Sequence, residues 1–362
     1  MKLGIIGAGQ LGQMMALAAR PLGIDTAFLD PSAQACGGRV GELYCADYAD
    51  PTGLQQLAEF ADVISFEFEN VPPAIVAELA RSRPVYPPAE ALATARDRWA
   101  EKTLFLSLGI ETAPVAEVND QASLVEAVRQ IGLPAVLKTR TLGYDGKGQK
   151  VLRDAQDAAD TFAELGGVPL ILEGFIDFEF ELSCIGVRDQ NGACVFYPLI
   201  RNEHRQGILH RSQPMQDPRL QALAEQAVES VMSALNYVGT LAFEFFVHKG
   251  QLMANEIAPR VHNSGHWTIE GSRCSQFENH VRAVMNLPLG STESVGPVAM
   301  YNVIGKRPET QALLAVPGLH WHDYGKSERP GRKIAHITVT AANDAQLAER
   351  CASVEALLIN DL

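Results

Sequence analysis

The sequence predicts a mixed α/β and α+β chain of two or three packed units, on three observations. A strand-helix-strand pattern fills the first 30 residues, strands and glycine-dense loops dominate after Pro114, and a smaller β-rich tail begins near residue 297. The 362 residues exceed the ~100–200 usual for one domain. With 47% hydrophobic and 20% charged residues, the chain has the apolar surface to build real cores. Forty-three acidic against 30 basic side chains leave a net charge of −13, a field that repels phosphate backbones and acidic lipid. Neither nucleic acid nor a membrane is therefore an expected partner.

The elements follow in order. Residues 2–7 are an apolar run, Gly7-Ala8-Gly9-Gln10-Leu11-Gly12 opens a helical stretch, and 26–29 is a second run ending at Asp30. Leu54, Leu57, Ala58 and Ala61 keep helical spacing before a buried strand at 63–66, which exits into Glu67-Phe68-Glu69-Asn70. Pro84, Pro87 and Pro88 close this doubly wound unit, and Asp97-Arg98-Trp99 starts a new helix. Leu124, Ala127, Val128 and Ile131 mark a helix leading into the strand 135–138. Leu220, Leu223, Ala224, Ala227, Val228, Val231, Met232 and Leu235 form an unbroken stripe that predicts a helix over 218–236. Strands at 239–247 and 251–257 flank a turn at His248-Lys249-Gly250. A strand at 333–340 and a short helix end the tail.

No apolar run reaches the ~18 residues of a membrane span, and Gly9, Gln10 and Gly12 interrupt the apolar start before it resembles a secretion signal. Six dispersed cysteines form no CxxC pair and read as reduced, mostly buried thiols, so the expected location is the cytoplasm.

Several clusters carry chemistry. The glycines 7, 9 and 12 with Asp30 match a dinucleotide fingerprint, which alone suggests a dehydrogenase; the same loop also serves other phosphates or plain helix packing. Lys138 ends an apolar strand and needs an anionic partner. Gly143-Tyr144-Asp145-Gly146-Lys147-Gly148-Gln149 follows it, a loop whose N–H groups can fold over phosphates; it lacks the Ser or Thr of a Walker A loop. Glu244 interrupts an apolar strand, and Asn255-Glu256 lie across the hairpin. A two-residue turn opposes Glu244 to Asn255 and a longer loop opposes it to Glu256, and either gathers two carboxylates and an amide. A hard cation such as Mg²⁺ or a buried basic side chain answers that charge. Arg260, His262, Asn263 and His266 crowd an irregular stretch; Ser264-Gly265 argues against a helical zinc pair. Arg201 through Arg211 is one basic cluster, and Lys326, Arg329, Arg332 and Lys333 have the composition of a phosphomonoester clamp or of a solvated charged turn.

Taken in this order, with Glu173-Gly174, Glu181 and the string 255–267, the residues resemble the N5-carboxyaminoimidazole ribonucleotide synthetase family, ATP-grasp ligases of purine biosynthesis, over essentially the whole chain. The resemblance implies a Rossmann-like amino-terminal domain without nicotinamide at 1–98, a central ATP-grasp fold of two subdomains at 99–296, and a small β-rich carboxy-terminal domain at 297–362. It implies a homodimer that uses ATP, Mg²⁺ and bicarbonate to carboxylate 5-aminoimidazole ribonucleotide through carboxyphosphate. By position, Arg98 and Lys138 would neutralise ATP phosphates under the loop Gly143, Gly146, Lys147, Gly148 and Gln149. Glu173, Gly174, Phe175 and Ile176 would line the adenine, Glu181 the ribose, and His204 would complete that pocket. Glu244 and Glu256 would hold Mg²⁺ beside Asn255. Tyr144 and Asp145 would lie near the imidazole, Asp145 the better candidate to orient or deprotonate the amine, and Arg260, His262 and Asn263 would face bicarbonate or the ribonucleotide. Lys326, Arg329, Arg332 and Lys333 would clamp the 5′-phosphate, with one of Glu67 and Glu69 near the aminoimidazole.

Rival readings remain. An NAD-dependent oxidoreductase explains Gly7, Gly9, Gly12 and Asp30 but leaves the Gly143 loop, Glu244 and Glu256 without work. A formate-dependent glycinamide ribonucleotide transformylase or a biotin-dependent carboxylase subunit shares the ATP machinery and differs in acceptor. A non-catalytic nucleotide-binding protein tolerates loss of the metal ligands, both of which are present here.

Overall fold

Lys2–Ile6, Asp25–Asp30 and Val63–Phe66 are nearly continuous apolar runs, a composition that requires cover on both faces of a parallel sheet. In the computed structural model, which describes residues 1–141, 143, 148–158 and 161–358, they pair in parallel in the order Glu42–Cys45, Asp25–Asp30, Lys2–Ile6, Val63–Phe66. Leu3, Ile5 and Phe28 pack with helix Gln10–Ala19, whereas Ile6, Ala27 and Leu29 pack with helix Pro51–Phe60. Alternation along the strands thus puts the two helices on opposite faces.

The middle of the chain builds two antiparallel sheets. The smaller runs Val115–Val118, Leu170–Gly174, Ala135–Thr139, Gln149–Leu152 and buries its apolar side against helix Gln121–Ile131. The larger begins Gln251–Ala258, Gly239–His248, Phe180–Arg188, Ile200–Arg205, Ile208–Pro214, with Cys194–Phe196 paired to Phe180–Arg188. Helix Pro218–Ala234, capped by the Asp217 carboxylate, lays Leu220, Ala224, Val228, Val231 and Met232 on this sheet. It stops two residues short of the expected end, because Asn236 turns to a φ of 48°.

The tail does not form a sheet of its own. Arg211 pairs with Tyr301 and Ser212 with Met300, so Val298–Ile304, Lys333–Thr340 and Leu319–Asp323 extend the larger sheet. Every residue of Val298–Ile304 is buried, which requires cover on both faces. Helix Asp344–Leu357 supplies one cover and Trp267 lies on the other. The amino-terminal unit is docked through helix Gln276–Val284, whose Phe277, Val281 and Val284 share a core with Leu3, Ile5 and Met15. Among the described residues no helix is long and apolar enough to cross a membrane. Cys36, Cys184, Cys274 and Cys351 are buried free thiols, and Cys45 is exposed.

Candidate active site

The glycine-rich turn at the start of the chain is occupied from within. Backbone N–H groups of Gly9 and Gly12 donate to the Glu67 carboxylate, the latter at 2.7 Å, and Ala8 N–H donates to Asp30 Oδ2 at 2.9 Å. A Cβ on Gly9 would lie 2.6 Å from Glu67 Oε1, and Gly7 has a φ of +93° with Glu67 Cγ 2.5 Å from the position of a Cβ. These glycines therefore serve the close approach of an internal carboxylate to a helix N-terminus. That geometry removes the N–H donors a pyrophosphate would need, and with them the basis of the nicotinamide reading.

Hairpin Gly239–His248 and Gln251–Ala258 closes with the two-residue turn Lys249-Gly250, yet Glu244 opposes Glu256. Phe245 pairs with Ala254, so Asn255 is an extra residue, a β-bulge that moves the register by one. The sequence alternatives each hold half of this arrangement: the turn is the short one and the carboxylate pair is the one expected of the long one. Burial and the neighbouring Glu256 push Glu244 up to about 7, while Arg98, 2.8 Å from Glu256 Oε2, holds Glu256 below its usual range against the effect of burial. Among the described residues no group of three or more acidic, histidine or cysteine side chains is arranged as a complete metal cage. Two facing carboxylates fit Mg²⁺, an ion that keeps few protein ligands and completes its shell with phosphate oxygens and water.

On the opposite wall, the partner demanded by Lys138 is Glu173, 3.1 Å away. A second ammonium, Lys102, lies 3.6 Å from the same carboxylate oxygen and donates to Asn255 O at 2.6 Å and Thr112 Oγ1 at 3.1 Å. Burial raises the pKa of Glu173, but Lys102 and then Lys138 outweigh it and leave it at about 2. Arg260 does the same for Glu69, 2.5 Å away and likewise at about 2. Glutamates depressed from about 4.5 to about 2 contribute stability that is complete above pH 4.5 and lost as pH falls through 2. We expect thermal stability to fall steeply between pH 4.5 and 2, and Glu69→Gln to flatten that slope; an unchanged acid limb in a pH-dependent melting series would contradict the pairing.

Glu101, next to Lys102 and 2% exposed, accepts the Ile257 N–H at 2.7 Å. Burial and Glu256 push it up to about 8. Beside the hairpin, His204 Nδ1 lies 3.1 Å from Glu181 Oε1, and His262 Nε2 lies 3.2 Å from Glu244 Oε1. Burial, Arg260 and Lys333 press His262 down to about 3, so its ring is neutral. Neither amide atom of Asn263 has a partner among the described residues, although both are buried. Phe175 is about half exposed, and Phe178 stacks on Phe246 at 4.6 Å, giving flat apolar surface at the same mouth.

Most of these side chains line one cleft of about 570 Å³ between the two antiparallel sheets, with Lys102 buried behind its wall. It gathers Arg98, Lys138, Gly143, Gln149, Glu173, Gly174, Phe175, Ile176, Glu181 and His204 with Glu244, Asn255, Glu256, Arg260, His262, Asn263, Glu69 and Lys333. Of the two candidate glutamates, Glu69 lines the cleft and Glu67 is committed to the glycine turn. Gly148, Lys326, Arg329 and Arg332 are not in the lining. Lys326 reaches Gln10, itself a lining residue, and Arg332 donates to Ser327 Oγ at 2.7 Å. Tyr144, Asp145, Gly146 and Lys147 lie outside the described residues. Sequence reading misses Lys102, Glu101, Gln10 and Arg140; the last joins Asp97 to Glu117, 2.5 Å away. Glu101 and Lys102 share the buried side of helix Arg98–Ser107 with Phe105, and two adjacent charges beside Leu104, Phe105 and Leu106 are the only sequence clue to them.

Two antiparallel sheets gripping a cleft with Lys138 on one wall and paired carboxylates on the other make this chain an ATP-grasp enzyme, and the ATP-grasp domain model matches residues 103–277. The ribonucleotide synthetase preATP-grasp domain model matches 1–96, and the phosphoribosylaminoimidazole carboxylase C-terminal domain model matches 298–350. The chain belongs to the N5-carboxyaminoimidazole ribonucleotide synthase family: it is 57% identical over 358 residues to the synthase of Pseudomonas aeruginosa, covering 99% of both chains. The crystal structure of the Thermus thermophilus synthetase superposes with a TM-score of 0.95 at 47% identity, covering 98% of each chain. An Aspergillus clavatus synthase, solved in complex with ADP and 5-aminoimidazole ribonucleotide, matches at TM-score 0.89 and 28% identity over 98% of each chain.

Proposed function

We propose that this chain carboxylates the exocyclic amine of 5-aminoimidazole ribonucleotide with ATP and bicarbonate, forming N5-carboxyaminoimidazole ribonucleotide in purine biosynthesis. The observation that carries the reading is the meeting of Lys138, the Glu244–Glu256 pair and the Arg260–Glu69 pair in one cleft. A bicarbonate oxygen attacks the γ-phosphorus, ADP leaves, and carboxyphosphate forms. The amine then takes the carboxyl carbon, phosphate departs and the amine gives up a proton.

Adenine stacks at Phe175 and Phe178, with Glu173, Gly174 and Ile176 along its edge and Glu181 and His204 at the ribose. Lys138, held in place by Glu173, and Arg98 neutralise the phosphates. Glu244 and Glu256 would hold Mg²⁺, which when bound draws charge from the phosphoryl oxygens. Asn263, with its amide unsatisfied, and Arg260 offer donors to bicarbonate. By family analogy the segment from Gly143 to Gln149, with Gly146, Lys147 and Gly148, would cover the phosphates and keep water from carboxyphosphate, and Tyr144 and Asp145 would serve the amine. Lys326, Arg329, Arg332 and Lys333 bind the 5′-phosphate, and Glu69 approaches the aminoimidazole. Arg332→Ala is expected to raise the ribonucleotide KM about tenfold with little change in kcat, the signature of uniform binding loss; an effect confined to the KM for ATP would reassign the cluster.

The test is ADP release over a panel of acceptors with and without bicarbonate. Full rate only with aminoimidazole ribonucleotide plus bicarbonate is expected, and equal ADP release with glycinamide ribonucleotide plus formate would refute the assignment. The enzyme works in the cytoplasm and as a homodimer in this reading, which rests on its biosynthetic role and on family analogy.

A further inference from the structure

Behind His262 a line of buried polar side chains runs through four elements. Ser212 Oγ donates to Asn202 Oδ1 at 2.8 Å, Asn202 Nδ2 donates to Ser183 Oγ at 2.6 Å, and Ser183 Oγ donates to Ser264 Oγ at 2.8 Å. Ser264 Oγ then lies 2.9 Å from His262 Nδ1. The three serines are 0% exposed and Asn202 is buried, so the chain is shielded from bulk water. An amide nitrogen can only donate. Ser183 must therefore accept from Asn202 and pass its own hydrogen to Ser264, which passes its hydrogen to His262 Nδ1.

A second constraint comes from the backbone. The Ser264 N–H, also incapable of accepting, points at the same Nδ1 at 3.3 Å. Were Asn202 rotated to reverse the chain, Nδ1 would carry a hydrogen that met this N–H head-on. Both constraints leave Nδ1 as a lone pair and place the ring hydrogen on Nε2, 3.2 Å from Glu244 Oε1.

We propose that Ser264, Ser183 and Asn202 are positioning residues whose one-way hydrogen-bond chain fixes His262 as the Nε2–H tautomer, so that an uncharged donor orients the Glu244 carboxylate across from Glu256. The functional half of this inference rests on the reading of Glu244 as a cation ligand. An oriented carboxylate keeps its second oxygen available, and a neutral donor adds no positive charge to repel a divalent ion.

The test is a long-range ¹H–¹⁵N spectrum of the histidine rings in metal-free protein, with His262 assigned by its loss in His262→Gln. The unmodified protein should show a protonated Nε2 and an unprotonated Nδ1. Ser264→Ala should shift the ring toward a mixture of tautomers, and Ser264→Thr, which retains the hydroxyl, should restore the single form. In activity assays Ser264→Ala should raise the Mg²⁺ activation constant about tenfold, with less than twofold change in ribonucleotide KM. A protonated Nδ1 in the unmodified protein, or an unaltered ring in Ser264→Ala, would overturn the proposal. An unchanged Mg²⁺ activation constant in Glu244→Gln would instead overturn the cation reading, while the ring spectra stand apart from it.

Discussion

Glu256→Gln lowers kcat by an expected 10²–10³-fold, on the order of the loss when one electrostatic contact to a reacting group is removed. Glutamine keeps the side-chain volume and can still accept from Arg98, which now lies 2.8 Å from the carboxylate, so packing should survive. What changes is the charge opposite Glu244 in the hairpin. With one carboxylate left, the Mg²⁺ concentration for half-maximal rate should rise at least tenfold. Kinetics over a magnesium titration decide the matter: a variant with unaltered rate and unaltered magnesium dependence would remove Glu256 from the site.

Glu173→Gln should produce the largest loss of stability. Its carboxylate is 5% exposed and is the counter-charge for Lys102, 2% exposed, and for Lys138. Removing one member of a buried ion pair is strongly destabilising, because the remaining charge is left without compensation; about 3 kcal/mol is expected once Lys102 is allowed to relax by losing its proton. For a chain of this size that is a fall in Tm on the order of 4 °C. Lys102→Met on the same background should then be less harmful than Lys102→Met alone, the non-additivity expected of direct partners. Strictly additive shifts in calorimetry of the single and double variants would show that the three charges do not form one unit.

Periodic elements are legible in this sequence because their signal is local. Helix Pro218–Ala234 carries its stripe of Leu, Ala, Val and Met within 17 residues, and Lys333–Thr340 matches the expected strand end to end. The turn at Lys249-Gly250 is equally local. The bulge at Asn255 is not, since it depends on how two strands slide past each other, and it alone brings Glu256 opposite Glu244.

Long-range chemistry is half legible. Lys138 signals from its apolar strand that an anion is near, yet nothing in the composition says that Glu173 also answers to Lys102, 71 residues earlier. The glycine turn has the spacing of a phosphate loop; what distinguishes it is Glu67, which fills the turn from 55 residues away. The tail reads as a small β-rich domain, as the C-terminal domain model at 298–350 bears out, but its joining to the larger sheet is not legible, because the ladder from Arg211 and Ser212 to Tyr301 and Met300 spans about 90 residues of chain.

Oxygen tracing tests the central chemistry most directly. With ¹⁸O-labelled bicarbonate, ATP and 5-aminoimidazole ribonucleotide, the oxygen that attacks the γ-phosphorus stays on phosphorus when the carbon is handed to the amine. Mass spectrometry of the released inorganic phosphate should find one ¹⁸O per phosphate for each turnover. Phosphate carrying no label, while carboxylated product accumulates, would mean that bicarbonate and the γ-phosphate never join in this cleft.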